Sequence, residues 1–381
     1  MDFKLNDEQL LLRDTVKKLV KEKLMPLAAQ FGEKNEVPWD IVKILAQQGL
    51  LGLHVPEKYG GSSRPGFEAM PLCLAREQLA PCLPAEYIFA VQGLGSYPIV
   101  VAGSEEQKEK WLATAAKGEK LFSFALTEPN AGSDVASMET KALPDGDFYI
   151  LNGTKTFISN AGVADVYTVF AKTDPQQGVR GISAFVVEKG SPGLKMGRQI
   201  ELISPHPFGE LIFEDCRVPK SNLLGELGEG FKTAMRTLDV FRQTVGAMAV
   251  GLAQAALDLA LEYAKQRITF GKPLVKFQGI QFMLADMAVE ISAARLLVYQ
   301  AAWLKDQGEE DFIKEASIAK LYATEMAQRV VYNAQQIFGG YGMTKDCPVE
   351  AFYRHIRATT VYEGTSEIQR VIIAKQLIER G

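Results

Sequence analysis

The sequence predicts a mainly α protein with a central β domain, and three observations predict it. Helix-start signals and amphipathic runs fill the chain from Asn6 to about Lys117. At Leu121 the pattern shortens to runs of β-branched and aromatic residues separated by Gly, Pro, Asn and Asp. After Gly230 the chain returns to helices far above the mean length of about 11 to 12 residues. The expected organisation is an N-terminal α-helical domain over 1–119, a middle β domain over 120–224 and a C-terminal helical bundle over 225–381.

In the first domain, Asn6 with Gln9 forms a capping box ahead of an amphipathic run to about Gln30. Pro38 stands where a second helix begins, and Ser104 with Gln107 makes another box before 108–116. Between them, 55–61 reads as a loop by its Pro and Gly. The strands expected in the second domain are 121–127, 148–158, 166–172, 182–188 and 210–213, spaced as in a small antiparallel barrel or a sandwich and unlike βαβ units. No G-x-G-x-x-G joins a strand to a helix and no Walker sequence occurs; Gly225, Gly228 and Gly230 are a weak match. A dinucleotide bound here would not use a Rossmann arrangement. The long helices of the third domain are 231–266, 277–306 and 312–338. In the last, Ile318, Leu321, Tyr322, Met326, Val330, Ala334 and Ile337 recur at three and four as one apolar stripe, which is core first. Short turns such as 267–276 argue for an antiparallel bundle.

Composition removes several classes of function. A chain of 381 residues, 47% apolar and 23% charged, is an ordinary globular protein of two or three domains. Its formal net charge of -4 offers no basic footprint for nucleic acid. Cys73, Cys82, Cys216 and Cys347 are scattered, which argues against a disulfide framework or a zinc site. His54, His206 and His355 lie far apart, so neither a metal cluster nor a histidine triad is supported. The opening Met1-Asp2-Phe3-Lys4-Leu5-Asn6-Asp7-Glu8 lacks the order of a signal peptide and the bias of a transit peptide. No apolar run is expected to span a bilayer; the longest uncharged stretch, 87–104, is broken by Gln92, Gly93, Gly95, Ser96 and Pro98. A cytoplasmic protein without membrane association is expected.

Four blocks offer chemistry. In Tyr362-Glu363-Gly364-Thr365-Ser366-Glu367-Ile368-Gln369, Gly364 permits a sharp turn, and Thr365 or Ser366 can cap 367–379, leaving amides that favour an anion. Glu363 is then either a base reaching into a cavity or a solvated carboxylate beside a cap. In Leu126-Thr127-Glu128-Pro129-Asn130-Ala131-Gly132-Ser133-Asp134, the turn 129–132 either turns N–H groups toward a phosphate or thioester chain or is a polar turn between strands. In Asn152-Gly153-Thr154-Lys155-Thr156-Phe157-Ile158-Ser159-Asn160, alternation puts Phe157 and Ser159 on one face; Phe157 could also be barrel core. Arg267-Ile268-Thr269-Phe270-Gly271-Lys272 carries a guanidinium fork suited to a pyrophosphate. Gly339-Gly340 serves a close backbone approach, a helix stop, or both.

Together these blocks resemble the acyl-CoA dehydrogenases over essentially the whole chain: the Glu363 signature, a "TEPxAGSD" flavin motif and an "RxxFG" turn. The resemblance implies a middle antiparallel β-barrel followed by a C-terminal four-helix bundle. It implies FAD, bound by Phe124, Leu126, Thr127, Ser133, Phe157, Ser159, Thr365 and Glu367, with Phe157 covering a flavin face and the Ser159 hydroxyl at N5. It also implies Arg267 and Thr269 on the pyrophosphate and adenosine side of a neighbouring subunit's FAD, and Phe277, Gln278, Gln336, Gly339 and Gly340 as further FAD contacts, hence an oligomer, with a homotetramer expected. Glu363 is implied as the base removing the α-proton of an acyl-CoA, with Arg242 beside it and Ser133, Asp239, Phe241, Arg242, Tyr362 and Gly364 along the substrate. For Arg242 a structural salt bridge is the competing account. Reduced flavin would pass electrons to an electron-transferring flavoprotein. Some branches place the base at the position of Phe241, which cannot accept a proton; this supports Glu363, and the ring would favour short, branched or cyclic acyl groups. The same active site run in reverse, as an enoyl-CoA reductase, and a catalytically silent flavin-binding relative are the alternatives. The clearest departure from the family is 202–209, where a "MGxRxS" loop is usual; His206, between prolines, reads as a surface residue. His355 replaces an acidic residue common in the family.

Overall fold

In the computed structural model, which describes residues 4–64, 69–309 and 312–380, the first third forms six helices. These are α1 (Asp7–Leu19), continued through a π-turn into α2 (Met25–Phe31), then α3 (Trp39–Gln47), α4 (Ala69–Leu79), α5 (Leu83–Ala102) and α6 (Glu105–Ala116). Both capping boxes form. Gln9 N donates to Asn6 Oδ1 at 2.8 Å and Asn6 N to Gln9 Oε1 at 3.0 Å; Gln107 N and Ser104 N exchange the same pair of bonds at 3.2 and 3.0 Å. The uncharged stretch 87–104 is most of α5, which carries Pro98 inside it. Met1–Phe3 of the opening octapeptide lie outside the described residues.

The strands are β1 (Phe122–Ala125), β2 (Lys141–Asp145), β3 (Phe148–Ser159), β4 (Val166–Lys172), β5 (Ile182–Glu188), β6 (Leu194–Gln199), β7 (Phe208–Pro219) and β8 (Leu223–Leu224). They run in the order β6-β7-β3-β2-β4-β5-β8, and β1 pairs with β4. Pairing is antiparallel except between β1 and β4 and at one β2 to β4 bridge, which are parallel. The expected strands are present, and 210–213 extends to the whole of β7. Unanticipated were β2, β6 and β8. The first two are mostly solvent-facing and the third has two residues, so none shows an apolar alternation.

Beyond the sheet come α7 (Gly230–Gln266), a hairpin of β9 (Ile268–Thr269) and β10 (Lys272–Pro273), then α8 (Gln278–Asp306), α9 (Phe312–Phe338), α10 (Pro348–Ala358) and α11 (Ser366–Arg380). The turn 267–276 is therefore a hairpin, tightened by positive φ at Phe270 (48°) and Gly271 (74°). One expectation is corrected here. α7 is long and apolar enough to cross a bilayer, but 72% of its apolar window is buried inside the protein, as in a core helix. The stripe on α9 is also redrawn. Met326, Val330, Ala334 and Ile337 are buried as expected, but in its N-terminal half the buried residues are Ala316, Ser317, Ala319, Lys320, Ala323 and Thr324, whereas Ile318, Leu321 and Tyr322 are half-buried. Small residues let helices approach closely, which an apolarity count favouring large side chains overlooks.

The chain forms two compact units, Met1–Met25 with Glu68–Glu86 and Asp239–Gly381, and Pro26–Phe67 with Tyr87–Leu238. In the first, α4 packs on α1 and α8, and α9 on α8, α10 and α11. The Asp306 carboxylate accepts from the amides of Ala69 and Met70 at the start of α4. Gly251 is required there, since a Cβ would lie 2.0 Å from the Glu77 carbonyl oxygen. In the second unit, Trp111, Phe122, Phe170, Ile182 and Val186 share a core. Buried Gln92 stitches it together by donating to the Ala115 and Lys120 carbonyls at 3.0 and 2.9 Å and accepting from Phe122 N at 3.0 Å.

Candidate active site

Glu363 sits in the turn between α10 and α11 with φ of 52°, a left-handed conformation that costs a glutamate energy and persists only where surroundings enforce it. The enforcing contacts converge on the next peptide. Lys320 Nζ donates to the Gly364 carbonyl at 2.6 Å, and Gln369 Nε2 donates to the same oxygen at 2.9 Å. Gly364 has φ of 92°, and a Cβ there would meet Gln369 Nε2 at 2.6 Å. Thr365 is the cap, accepting from Ile368 N at 3.3 Å. Ser366 is buried, and its hydroxyl has no partner among the described residues.

The residue Glu363 is half-buried, but its Oε2 atom is enclosed and has no hydrogen-bond partner among the described residues. Burial pushes its carboxyl above the ordinary carboxylate range; Arg76, Lys320 and Arg242 pull it back in that order, and Glu86 adds a small push upward. The solvated-carboxylate reading therefore fails. A buried carboxyl facing three cations can hold a charge and give it up to a proton, as a general base must.

Three of those neighbours escaped the sequence reading. Arg76 on α4 is 2% exposed; its Nε donates to Glu86 Oε1 at 2.8 Å and its Nη1 to Thr244 Oγ1 at 2.7 Å. Burial alone would raise the Glu86 carboxyl, but Arg76 and then His355, whose Nε2 lies 3.3 Å from Glu86 Oε2, hold it at about 2. Lys320 is fully buried, which lowers its ammonium to about 8 against the attraction of Glu363. The available signal was a cation inside an otherwise apolar pattern, at Arg76 in α4 and at Lys320 in the α9 stripe. Arg242 forms a salt bridge with Asp239, the competing account of it, is 4% exposed, and also lowers the Glu363 carboxyl. Burial raises the Asp239 carboxyl despite that partner. Phe241 is a fully buried ring on α7, and Tyr362, one residue before Glu363, has its phenol driven well up by burial and by Glu86.

In the other unit, the block 126–134 is built on a buried ion pair. Lys155 Nζ donates to Glu128 Oε1 at 2.7 Å and to the Leu126 carbonyl at 3.0 Å, while Glu128 also accepts from the amides of Glu139 and Thr140. Thr156 N donates to the Thr127 carbonyl at 2.9 Å, leaving the Thr127 hydroxyl outside that bond. Ser133 is exposed; Phe124 is half-buried and packs on Phe170 at 5.0 Å between centroids.

Simple alternation along β3 does not produce the Phe157 and Ser159 face. Tyr149, Leu151 and Lys155 are buried, and the same phase would bury 157 and 159 as well. A bulge between Lys155 and Ile158, with Phe157 at φ of 58°, reverses the phase. Phe157 emerges 58% exposed and stacks on Phe208 at 6.1 Å, so it is a platform and not core. Ser159 beside it is half-buried, and its hydroxyl meets His206 Nε2 at 3.0 Å, which corrects the reading of His206 as a surface residue. An open aromatic face with a hydroxyl at its edge and a polar turn of exposed residues fits a flavin ring.

The remaining implied cofactor contacts lie in the first unit. Arg267, Gln278, Gln336, Gly339 and Gly340 are exposed and Thr269 and Phe277 half-buried, at the ends of α7 and α9 and the start of α8. Tyr263 on α7 and Phe338 on α9 meet there at 4.6 Å. Gly339, with φ of 61°, ends α9 and is exposed, so it serves as a helix stop and leaves backbone open. Thr365 is half-buried and Glu367 exposed.

Family models for the N-terminal, middle and C-terminal domains of acyl-CoA dehydrogenase match residues 6–119, 123–216 and 228–378. The chain is 44% identical to the acryloyl-CoA reductase (NADH) of Anaerotignum propionicum, over 100% of this chain and 97% of that one. The butyryl-CoA dehydrogenase of Megasphaera elsdenii superposes with a TM-score of 0.94 at 43% identity, over 99% and 100% of the two chains. A chain solved in work on the electron transferring flavoprotein of Acidaminococcus fermentans superposes equally well, 0.94 at 42% identity over 99% and 100%. With matches across all three domains, the chain belongs to the acyl-CoA dehydrogenase family of oxidoreductases, which act on a CH–CH bond.

Proposed function

We propose that this protein is an FAD-dependent acyl-CoA dehydrogenase that converts an acyl-CoA to the 2-enoyl-CoA, in three domains over 1–119, 120–224 and 225–381. The observation that carries the proposal is Glu363, a burial-raised carboxyl in a left-handed turn, with three cations acting on it. Phe124, Leu126, Thr127, Ser133, Phe157 and Ser159 would hold the flavin end of FAD, with Thr365 and Glu367 adding to the site. When bound, FAD supplies the acceptor for the hydride leaving the β-carbon.

The chain's own residues handle the proton. Glu363 takes it from the α-carbon, and Arg76, Lys320 and Arg242 keep the carboxyl ionised until substrate shuts out water and strengthens its basicity. Lys320 and Gln369 hold the turn, so the base is aimed before substrate arrives. Asp239, Phe241, Tyr362, Gly364 and Ser133 complete the acyl-CoA contacts.

A second reading, reduction of an enoyl-CoA by the same residues in reverse, is favoured by the similarity to an acryloyl-CoA reductase. Adding acyl-CoAs of varied length and branching to the oxidised enzyme separates the two. Bleaching of the flavin absorbance supports the dehydrogenase. Failure of every acyl-CoA, with reoxidation of reduced enzyme by an enoyl-CoA, supports the reductase, and protein isolated colourless supports a silent relative. Glu363→Gln is expected to keep FAD and lose about 10²–10⁴-fold in rate, the worth of a general base; wild-type bleaching in that variant removes Glu363 from the role.

The same reading takes an electron-transferring flavoprotein as redox partner and a homotetramer as the assembly, in the cytoplasm. Phe282, Val289, Leu296 and Trp303 recur every seven residues on α8, each at least 52% exposed, a stripe suited to another helix. The exposed Arg267, Gln278, Gln336 and Gly340 are then available to a neighbour's FAD. Light scattering on the eluted protein tests this, with a monomer as the contrary result.

A further inference from the structure

His206 lies in the loop between β6 and β7, and it is held on several sides. Its Nε2 is 3.0 Å from Ser159 Oγ and its Nδ1 is 3.3 Å from the Ser204 carbonyl oxygen. The ring packs on Tyr87 with centroids 4.6 Å apart and edge-on to Phe208 at 5.5 Å. Pro205 and Pro207 limit the backbone on both sides, and the Tyr87 hydroxyl is itself tied to Asn160 Oδ1. A carbonyl oxygen can only accept, so in the neutral ring Nδ1 carries the proton. The Nε2 lone pair then faces Ser159, whose hydroxyl must donate to it.

We infer that His206 is a positioning residue that commits the Ser159 proton to itself, so that Ser159 faces the flavin as an acceptor only. This rests on the reading that Ser159 stands at flavin N5. N5 of the oxidised ring has a lone pair and needs a donor; N5 of the two-electron-reduced ring has an N–H and needs an acceptor. An acceptor-only Ser159 therefore favours the reduced flavin, and a Ser159 released from His206 can donate to the oxidised one. The residue at position 206 thus sets how strongly this enzyme holds electrons.

The test is the midpoint potential of the bound flavin, titrated spectroelectrochemically in the holoenzyme without acyl-CoA. His206→Phe keeps a ring against Tyr87 but cannot accept. It is expected to move the equilibrium about tenfold toward the oxidised flavin, a fall of about 30 mV for a two-electron couple. His206→Gln, which offers an amide oxygen, is expected to restore the wild-type value, and His206→Leu serves as a second loss variant if the phenyl ring prevents folding. Ser159→Ala is expected to lower the potential by itself, and His206→Phe to add nothing to it. A wild-type potential in the His206 loss variants, with Ser159→Ala shifted, overturns the inference. So does a His206→Phe shift that persists undiminished in the Ser159→Ala background, since His206 would then act by another route. If Ser159→Ala leaves the potential unchanged, Ser159 does not stand at N5, and the inference falls with that reading.

Discussion

Replacing Lys320 by Met removes a fully buried ammonium whose ionisation is held at about 8, against an ordinary 10.5. The unfolded chain therefore binds a proton at this lysine that the native protein has lost between about pH 8 and 10.5. Stability contributed by this group accordingly rises with pH through that window and is flat below it. A gap of that width at about 1.36 kcal/mol per pH unit is worth on the order of 3 kcal/mol. Lys320→Met cannot gain it. The assay is urea unfolding of both proteins at intervals from pH 7 to 10.5, and the quantity is the difference between them. The cysteines and tyrosines that titrate in the same range are common to both and drop out. Wild type should gain about 3 kcal/mol on the variant across the window, and parallel curves would refute the claim that Lys320 is buried at a cost. In the same variant Glu363 loses a cation that lowers its pKa, so the ascending limb of kcat/KM against pH should move to higher pH. The Gly364 carbonyl keeps Gln369 as a donor, so the turn is expected to survive.

Arg76→Met strands the Glu86 carboxylate, 2% exposed, beside His355 alone, and should cost about 3 to 5 kcal/mol in urea unfolding. Combining it with Glu86→Gln should recover much of that loss, and an additive double variant would contradict the pairing. Gly364→Ala forces a Cβ into φ of 92° and within 2.6 Å of Gln369 Nε2, at about 1 to 3 kcal/mol. Because the displaced group also holds the Gly364 carbonyl, kcat should fall more than stability does; equal kcat would show that the turn does not aim the base. Below pH 4.5 wild type should lose stability as pH falls toward 2. Glu86 is the cause: its pKa is depressed to about 2, so its contribution is present above the ordinary carboxylate value and lost on protonation. Glu86→Gln should flatten that slope, read from unfolding at pH 2 to 5.

The features legible in the chain were those written within a few residues. The two capping boxes are i to i+3 patterns, and both formed with both hydrogen bonds. Strands 166–172 and 182–188 were placed to the residue because they are rich in β-branched and aromatic residues and bounded by turns. β2 and β6 were missed because a solvent-facing strand held by backbone pairing leaves no apolar period. The α9 stripe was borne out at Met326, Val330, Ala334 and Ile337, but its first half was drawn through Ile318, Leu321 and Tyr322 although helix contacts selected the small residues there.

By itself the sequence determined the order of helical and strand-rich segments and the family signatures that single out Glu363, because each is carried by residues adjacent along the chain. Only the tertiary structure decided what the Glu363 carboxyl experiences. Arg76, Lys320 and Glu363 are separated by up to hundreds of residues, and their coupling exists only once burial has removed the water that would screen it. The same holds for Ser159 and His206, forty-seven residues apart and joined by one hydrogen bond. The phase of β3 was likewise decided by a bulge against β7, a pairing defect that no single strand encodes.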